Sequence, residues 1–346
     1  MLKSENTMTN TIPVSLLELA LVAQDSNAGA TFEKTKELAQ LADTLGYKRF
    51  WLAEHHNMPH VASAATVVLI GYIAGQTQHI RVGSGGIMLP NHSPLIVAEQ
   101  FGTLETLYPN RIDLGLGRAP GTDTLTAMAI RKDFYEQSQQ FSQNVEALEA
   151  YFSEGNATAK VRAFPSEGTN VPIWILGSSR ESAVLAASKG LPYAFAGHFA
   201  PRDMLVAFQL YRDNFQASEF LERPYTMACV NAIAADTDQE AEILSTSLYQ
   251  MFGNLVQNNR KPLQPPVDSL SDLMNGMSEE ARFQVNQMTA CSFVGSKQTL
   301  ATELKEFIRY SRVDELMINS AIFDHQDKLK SFRLLKEVVD EINDTN

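Results

Sequence analysis

The sequence predicts an α/β chain folded as a (β/α)8 TIM barrel. Three observations carry that prediction. Short apolar runs alternate with helical segments along the chain, the alternation occurs eight times, and the G-x-G-x-x-G fingerprint of an open doubly wound sheet is missing after the first strand, which runs instead into AQDSNAGA. Repeated βα units with short apolar strands imply a parallel sheet covered by helices.

VSLLELALV, from Val14, reads as the first strand. Thr31 to Leu45 reads as a helix with Leu38, Leu41, Ala42 and Leu45 on one face, stopped by Gly46. Arg49 to Ala53 is the second strand, and Ala62 to Gln76 a buried helix. Ile80 to Leu89 is a third strand rich in glycine, followed by a helix from Pro94 to Leu107 with proline in its first turn. Ile112 to Leu116 and Asp133 to Phe152 form the fourth pair. Pro172 to Leu176 is the fifth strand, and Arg180 to Ser188 its helix, ended by Gly190. Pro192 to Ala196 with Arg202 to Phe215, Tyr225 to Ala234 with Gln239 to Phe252, and Glu315 to Ser320 with Gln326 to Ile342 complete the eight.

One stretch breaks this rhythm. Gly253 to Met277 is rich in Pro, Asn and Gln, and marks an irregular insertion (253–283) after the seventh strand. Such segments in compact barrels serve as lids or are passive. No linker divides the chain, so a single domain is expected over 1–346, with 1–12 as an N-terminal tail.

Composition narrows the partners. The chain has 346 residues, 44% hydrophobic and 20% charged, with 28 basic and 40 acidic side chains for a net charge of −12. That balance argues against nucleic acid or an anionic membrane as partner, because both reward clustered Lys and Arg. Cys229 and Cys291 are expected as buried free thiols. The apolar run at Val14 carries Glu18 and no A-x-A site follows, so it reads as a strand rather than a signal peptide. No run approaches a membrane span, and a cytoplasmic protein is expected.

In a barrel the chemistry sits where strands end. Those ends carry Glu54-His55-His56, then Gly83-Ser84-Gly85-Gly86, then Gly117-Arg118-Ala119-Pro120-Gly121, then Gly177-Ser178-Ser179. Gly177, Ser178 and Ser179 lead into a helix that carries Ser182, a context that suits either a phosphate or a plain serine cap. Arg118 could neutralise a phosphate, or pair with a loop carboxylate such as Asp123. The glycines of VGSGGIML suit either a flat ring lying against the backbone or a bulge. His55 and His56 are adjacent, so they point to opposite sides and do not share a metal; no metal site is expected. One of them could act as acid or base, or simply brace a loop.

These same segments carry a family resemblance. FWLAEHHNMPHVASAATVVLIGYIAGQTQHIRVGSGGIMLPNHSPLIVAEQFGTLETLYPNRIDLGLGRAPGTD is similar to the signature region of bacterial luciferase-like flavin monooxygenases, in the single-chain branch with the RIDLGLGRAPGTD ending. The similarity continues through PIWILGSSRESAVLAASKGLPYAFAGHF and VGSKQTLATELKEFIRYSRVDELMI. It implies a luciferase-like barrel using reduced FMN and O2 to oxidise a small organic substrate through a flavin C4a-peroxide. It also implies a separate NAD(P)H:flavin reductase and a homodimer packed through the helices after strands two and three. By residue, it places the catalytic-type histidine on His55 and a non-prolyl cis peptide beneath the flavin ring on Gly85-Gly86. The flavin-phosphate contacts fall on Arg118, Ser178, Ser179 and Ser182, beside Gly177. Where the light-emitting enzymes carry a reactive cysteine this chain has Gly117, which argues against light emission. The alternatives are an F420-dependent oxidoreductase of the same fold and a flavin-binding protein without catalysis.

Overall fold

The computed structural model describes residues 11–345; of the tail predicted at 1–12, all but Thr11 and Ile12 lie outside them. Among the described residues nine strands are present: β1 (Val14–Glu18), β2 (Arg49–Leu52), β3 (Arg81–Met88), β4 (Ile112–Gly117), β5 (Ile173–Gly177), β6 (Tyr193–Phe195), β7 (Thr226–Ala235), β8 (Ser292–Ser296) and β9 (Glu315–Asn319). All pair in parallel, in the order β6-β5-β4-β3-β2-β1-β9-β7-β8, and a further β6–β7 pairing closes the ring. The closed barrel therefore has eight strands, and these are the eight that the sequence predicts. β8 stands outside it. β7 is ten residues long; its first residues pair with β6 and β9, and its last, Asn231 to Ala235, extend past the rim and pair with β8.

Strand parity explains the two cores. Successive side chains on a strand point to opposite faces. Leu17, Trp51, Trp174, Ala194, Met227, Cys229 and Met317 pack together inside the barrel. Their neighbours Leu16, Phe50, Leu52, Ile173, Ile175, Tyr193, Phe195, Ala228, Val230, Leu316 and Ile318 face outward into the helical layer. The inward positions at the start of the strands are charged. Arg49 bonds to Asp113 (2.7 Å) and Glu315 (3.0 Å), Arg81 to Asp113 (2.7 Å), and Trp51 Nε1 to the same Asp113 carboxylate (3.1 Å). Asp113 and Glu315 are fully buried, so each charge needs its partner. This network plugs the bottom of the barrel and leaves the opposite end for chemistry.

The helices are α1 (Ala28–Leu45), α2 (Thr66–Gln76), α3 (Pro94–Leu107), α4 (Thr124–Ile130), α5 (Phe134–Gln139), α6 (Phe141–Phe152), α7 (Arg180–Lys189), α8 (Met204–Asn214), α9 (Asp238–Val256), α10 (Leu270–Asn275), α11 (Glu279–Met288), α12 (Lys297–Ser311) and α13 (His325–Asp344). Gly46 and Gly190 close α1 and α7 in the left-handed conformation that glycine adopts without a Cβ penalty. The single helix expected over Asp133–Phe152 is two, α5 and α6, broken at Gln140.

The insertion is more ordered than its composition suggests. α9 runs on to Val256, and α10 and α11 occupy much of the chain between it and β8. Between α9 and α10, Leu263 is buried, exchanging backbone bonds with Val22 and Gln24, while Arg260 bonds to the Asn57 carbonyl (2.7 Å) and the Asp123 carboxylate (3.1 Å). Both cysteines are buried free thiols. Among the described residues no helix is long and apolar enough to cross a membrane.

Candidate active site

The C-terminal ends of β2, β3, β4 and β5 bring the predicted residues to one end of the barrel. Beyond β2, Glu54 is buried, and its carboxylate accepts from His56 Nε2 (2.9 Å), His92 Nε2 (2.9 Å), Asn91 Nδ2 (3.1 Å) and the Met88 amide (3.1 Å). Burial works to raise the Glu54 carboxyl, but the imidazoles of His56 and His92 and the Asn91 amide outweigh it and hold it at about 2. One buried carboxylate thus ties the β2 loop to the turn after β3.

That clamp sets His55 apart from His56. His56 turns to Glu54; His55 faces the Gly121 carbonyl, with Nδ1 at 3.3 Å, and its own amide donates to the Ser63 carbonyl (3.0 Å). Burial holds the His55 imidazole below its ordinary value, with the Gly121 carbonyl working the other way. Gly121 has a left-handed φ of 64°, and a Cβ there would lie 2.6 Å from the Glu54 carbonyl oxygen, so RAPGTD has room only for glycine at this position.

The Gly85-Gly86 peptide is cis. The β3–β4 register shifts between Gly85 and Ile87, so a bulge is present at this point. A Cβ on Gly86 would lie 2.7 Å from the Gly115 carbonyl oxygen, and one on Gly85 2.7 Å from Leu17. Packing of β3 against β4 and the barrel interior therefore already demands both glycines.

Arg118 follows β4 and is exposed. The loop carboxylate Asp123 is engaged elsewhere: it caps α4 and accepts from Arg260. In the β4–β5 register Leu116 is level with Ile175, which sets Arg118 level with Gly177. The Glu181 carboxyl, in the first turn of α7, is held below its ordinary value by the Ser179 hydroxyl and its own backbone amide, and the charge of Arg118 adds to the effect. Ser179 stands at the N-cap of α7 without its side chain capping the helix; its hydroxyl and the Glu181 amide turn to the Glu181 carboxylate, and Ser179 leaves the other first-turn amides without a side-chain cap. Ser178 is exposed beside it. Ser182 is otherwise engaged: its hydroxyl donates to the Ser179 carbonyl (2.7 Å) and lies 2.9 Å from the Tyr193 hydroxyl. Gly177 makes room for it, since a Cβ there would meet Ser182 Oγ.

Several residues at this end escape a motif reading. His92 and Asn91 complete the Glu54 clamp, and Asn231 within β7, Asn319 at the end of β9 and His198 beyond β6 are joined by hydrogen bonds. Asn231 and Asn319 carry one available signal, a polar side chain inside an apolar strand on the same parity as Cys229 and Met317.

The sequence profile of a family described as luciferase-like monooxygenase matches residues 13–315. The chain is 48% identical over 332 residues, 96% of its own length and 98% of the relative's, to a protein of Escherichia coli (strain K12) named luciferase-like monooxygenase. Among solved structures it is similar to apo-MsnO8, at 33% identity and a TM-score of 0.84, covering 95% of this chain and 98% of that one. A more distant relative, 22% identical over 80% of each chain, is the oxygenase component of the flavin-dependent trigonelline monooxygenase of Acinetobacter baylyi.

Proposed function

Because the chain belongs to the luciferase-like monooxygenase family, we propose that it is an oxygenase component that takes reduced FMN and O2 and oxidises a small organic substrate at the mouth of its barrel. The observation that carries the reading is the pairing of Arg118, exposed and free of the carboxylate at Asp123, with the uncapped N-terminus of α7. A cation level with a helix N-terminus forms a cradle for a phosphate dianion, which would displace the exposed Glu181 carboxylate from the Ser179 hydroxyl and the Glu181 amide. The residues present therefore fit a phosphate-bearing flavin.

In this reading Arg118, Ser178, Ser179 and the α7 amides hold the phosphate, with Gly177 and Ser182 shaping that turn, and the Gly85-Gly86 segment supports the ring. Bound reduced flavin supplies the electrons that activate oxygen. His55 manages a proton at the reacting centre: burial favours its neutral form, so the ring can accept one, and the Glu54 clamp keeps its loop in place. The segment 253–283 lies over the β2 and β4 loops through Arg260, where it can help exclude water.

Two partners belong to the same proposal. A separate NAD(P)H:flavin reductase supplies the reduced flavin, as the oxygenase-component relative suggests. A second copy of the chain covers the outer faces of α2 and α3, where Val68 and Leu107 are 70% and 62% exposed beside Ile96, and α2 carries no charged residue. The 346 residues would then work as one domain within a homodimer.

The test is a titration of purified protein with FMN, FMNH2 and F420, followed by oxygen uptake with a flavin reductase and NADH. Preferential binding of FMNH2 is expected. Preference for F420 would move the chain to deazaflavin chemistry, and flavin binding without oxygen uptake would leave it a carrier.

A further inference from the structure

In the closed ring β2 and β6 are four steps apart in either direction, by way of β3, β4 and β5 or by way of β1, β9 and β7. The loops that follow these two strands therefore face each other across the mouth. One carries His55; the other carries His198. The two histidines come near enough across the mouth for charge on His55 to lower the His198 imidazole. Burial pushes the His198 imidazole down to about 3, which keeps it neutral at physiological pH.

The His198 loop is held by a ladder of buried amides. Asn319 Nδ2 donates to Asn231 Oδ1 (2.8 Å), and Asn231 Nδ2 donates to the His198 carbonyl (2.7 Å) and to Ser292 Oγ (3.0 Å). Both asparagines are almost fully buried on the inward parity of β7 and β9. The His198 ring meets Phe199 edge to face, with centroids 4.8 Å apart. A histidine kept only for packing would have its ring nitrogens satisfied. Here Nδ1 is enclosed with no hydrogen-bond partner, and Nε2 makes no bond to protein and is not enclosed. With Nδ1 walled off, Nε2 is the working atom, and a neutral ring with its lone pair on Nδ1 presents Nε2–H as a donor.

We propose that His198 is a second residue of the reaction site, set opposite His55 so that the substrate lies between the two rings and accepts a hydrogen bond from His198 Nε2. The class of substrate this selects is a small, largely apolar molecule carrying one acceptor group such as a carbonyl, ether or carboxyl oxygen. The Asn319–Asn231 ladder positions the loop, and the exposed edge of Phe199 supplies apolar contact beside the donor. This inference rests on the mouth being the reaction site, as proposed above, but not on which flavin binds there.

Ring-15N-labelled protein, without and with oxidised FMN, tests it by NMR at pH 7. Two probes of similar size are titrated, 2-butanone with an acceptor and isobutene without one. The expected result is a His198 ring protonated on Nε2 whose signals move with 2-butanone and not with isobutene. His325, paired with Glu37 on the outside, serves as the unmoved reference. H198Q, which keeps a donor, should retain the preference for 2-butanone over isobutene, read by competition between the probes. H198F should lose that preference, with FMN affinity within twofold of the parent in both. A proton on Nδ1, equal responses to both probes, or no response at saturation overturns the proposal. Failure of FMN to bind would count against the flavin reading alone, because the tautomer and the probe response are read without it.

Discussion

Replacing Glu54 by glutamine should cost the folded protein about 3 kcal/mol at neutral pH, and the cost should shrink in acid. The Glu54 carboxyl sits at about 2 against an ordinary 4.5. That gap of roughly 2.5, at about 1.36 kcal/mol for each pH unit, gives ~3 kcal/mol. The folded value is the lower one, so folding favours the ionised form. The contribution is complete above 4.5 and is lost as pH falls toward 2. By the same relation about half of it is gone near pH 3. Glutamine behaves as the permanently neutral form, and its amide also faces the donors of His56, His92, Asn91 and the Met88 backbone. Urea midpoints followed by the fluorescence of Trp51 and Trp174, both buried, would measure the difference between parent and E54Q from pH 7 to pH 3.5. A difference that stays constant over that range, or is absent at pH 7, would refute the clamp.

The other predictions concern binding and assembly. Arg118→Ala should weaken FMN binding roughly 10- to 100-fold by removing a charge-assisted bond worth about 1.5–3 kcal/mol, while riboflavin, which has no phosphate, is unaffected. Equal losses for both by fluorescence titration would show that Arg118 does not meet the phosphate. Val68→Glu with Ile96→Glu should convert a dimer to monomer, read by light scattering; a monomeric parent at micromolar concentration would end the assembly proposal. Arg260→Ala should release the insertion from Asn57 and Asp123 at a cost of less than about 1 kcal/mol, since the ion pair is exposed. FMN affinity should hold while hydrogen peroxide formed per NADH rises; an unchanged peroxide yield would leave the segment passive.

The range of each interaction decides how much of the fold the sequence reveals. The eight barrel strands are readable because short apolar runs between helices are local patterns, and the stops at Gly46 and Gly190 because a left-handed residue ends a helix wherever it sits. β8 is not readable: Ser292–Ser296 is short and half polar, and is a strand only because β7 extends beyond the rim to pair with it. α12 does carry a signal, since Leu300, Leu304, Phe307 and Ile308 recur at helical spacing, but it lies beside a stretch whose composition breaks the rhythm and hides it. The insertion looks undocked by composition, yet Leu263 and Arg260 suffice to fasten it.

The site divides the same way. Glu54-His55-His56, the glycines of β3, Arg118 and Gly177-Ser178-Ser179 stand at strand ends, so parity and the barrel rule single them out one by one from the sequence. Only the tertiary structure decided what each one meets. It gave Asp123 to Arg260 rather than Arg118, tied Ser182 to Tyr193, and brought His92, 38 residues away, onto Glu54. It also brought the His198 loop near His55 from the far side of the ring and fastened it through amides from β7 and β9. The physical reason is that side-chain direction along a strand repeats every second residue and is written locally, whereas which directions converge is settled by the closure of β6 onto β7, a contact that no single segment contains.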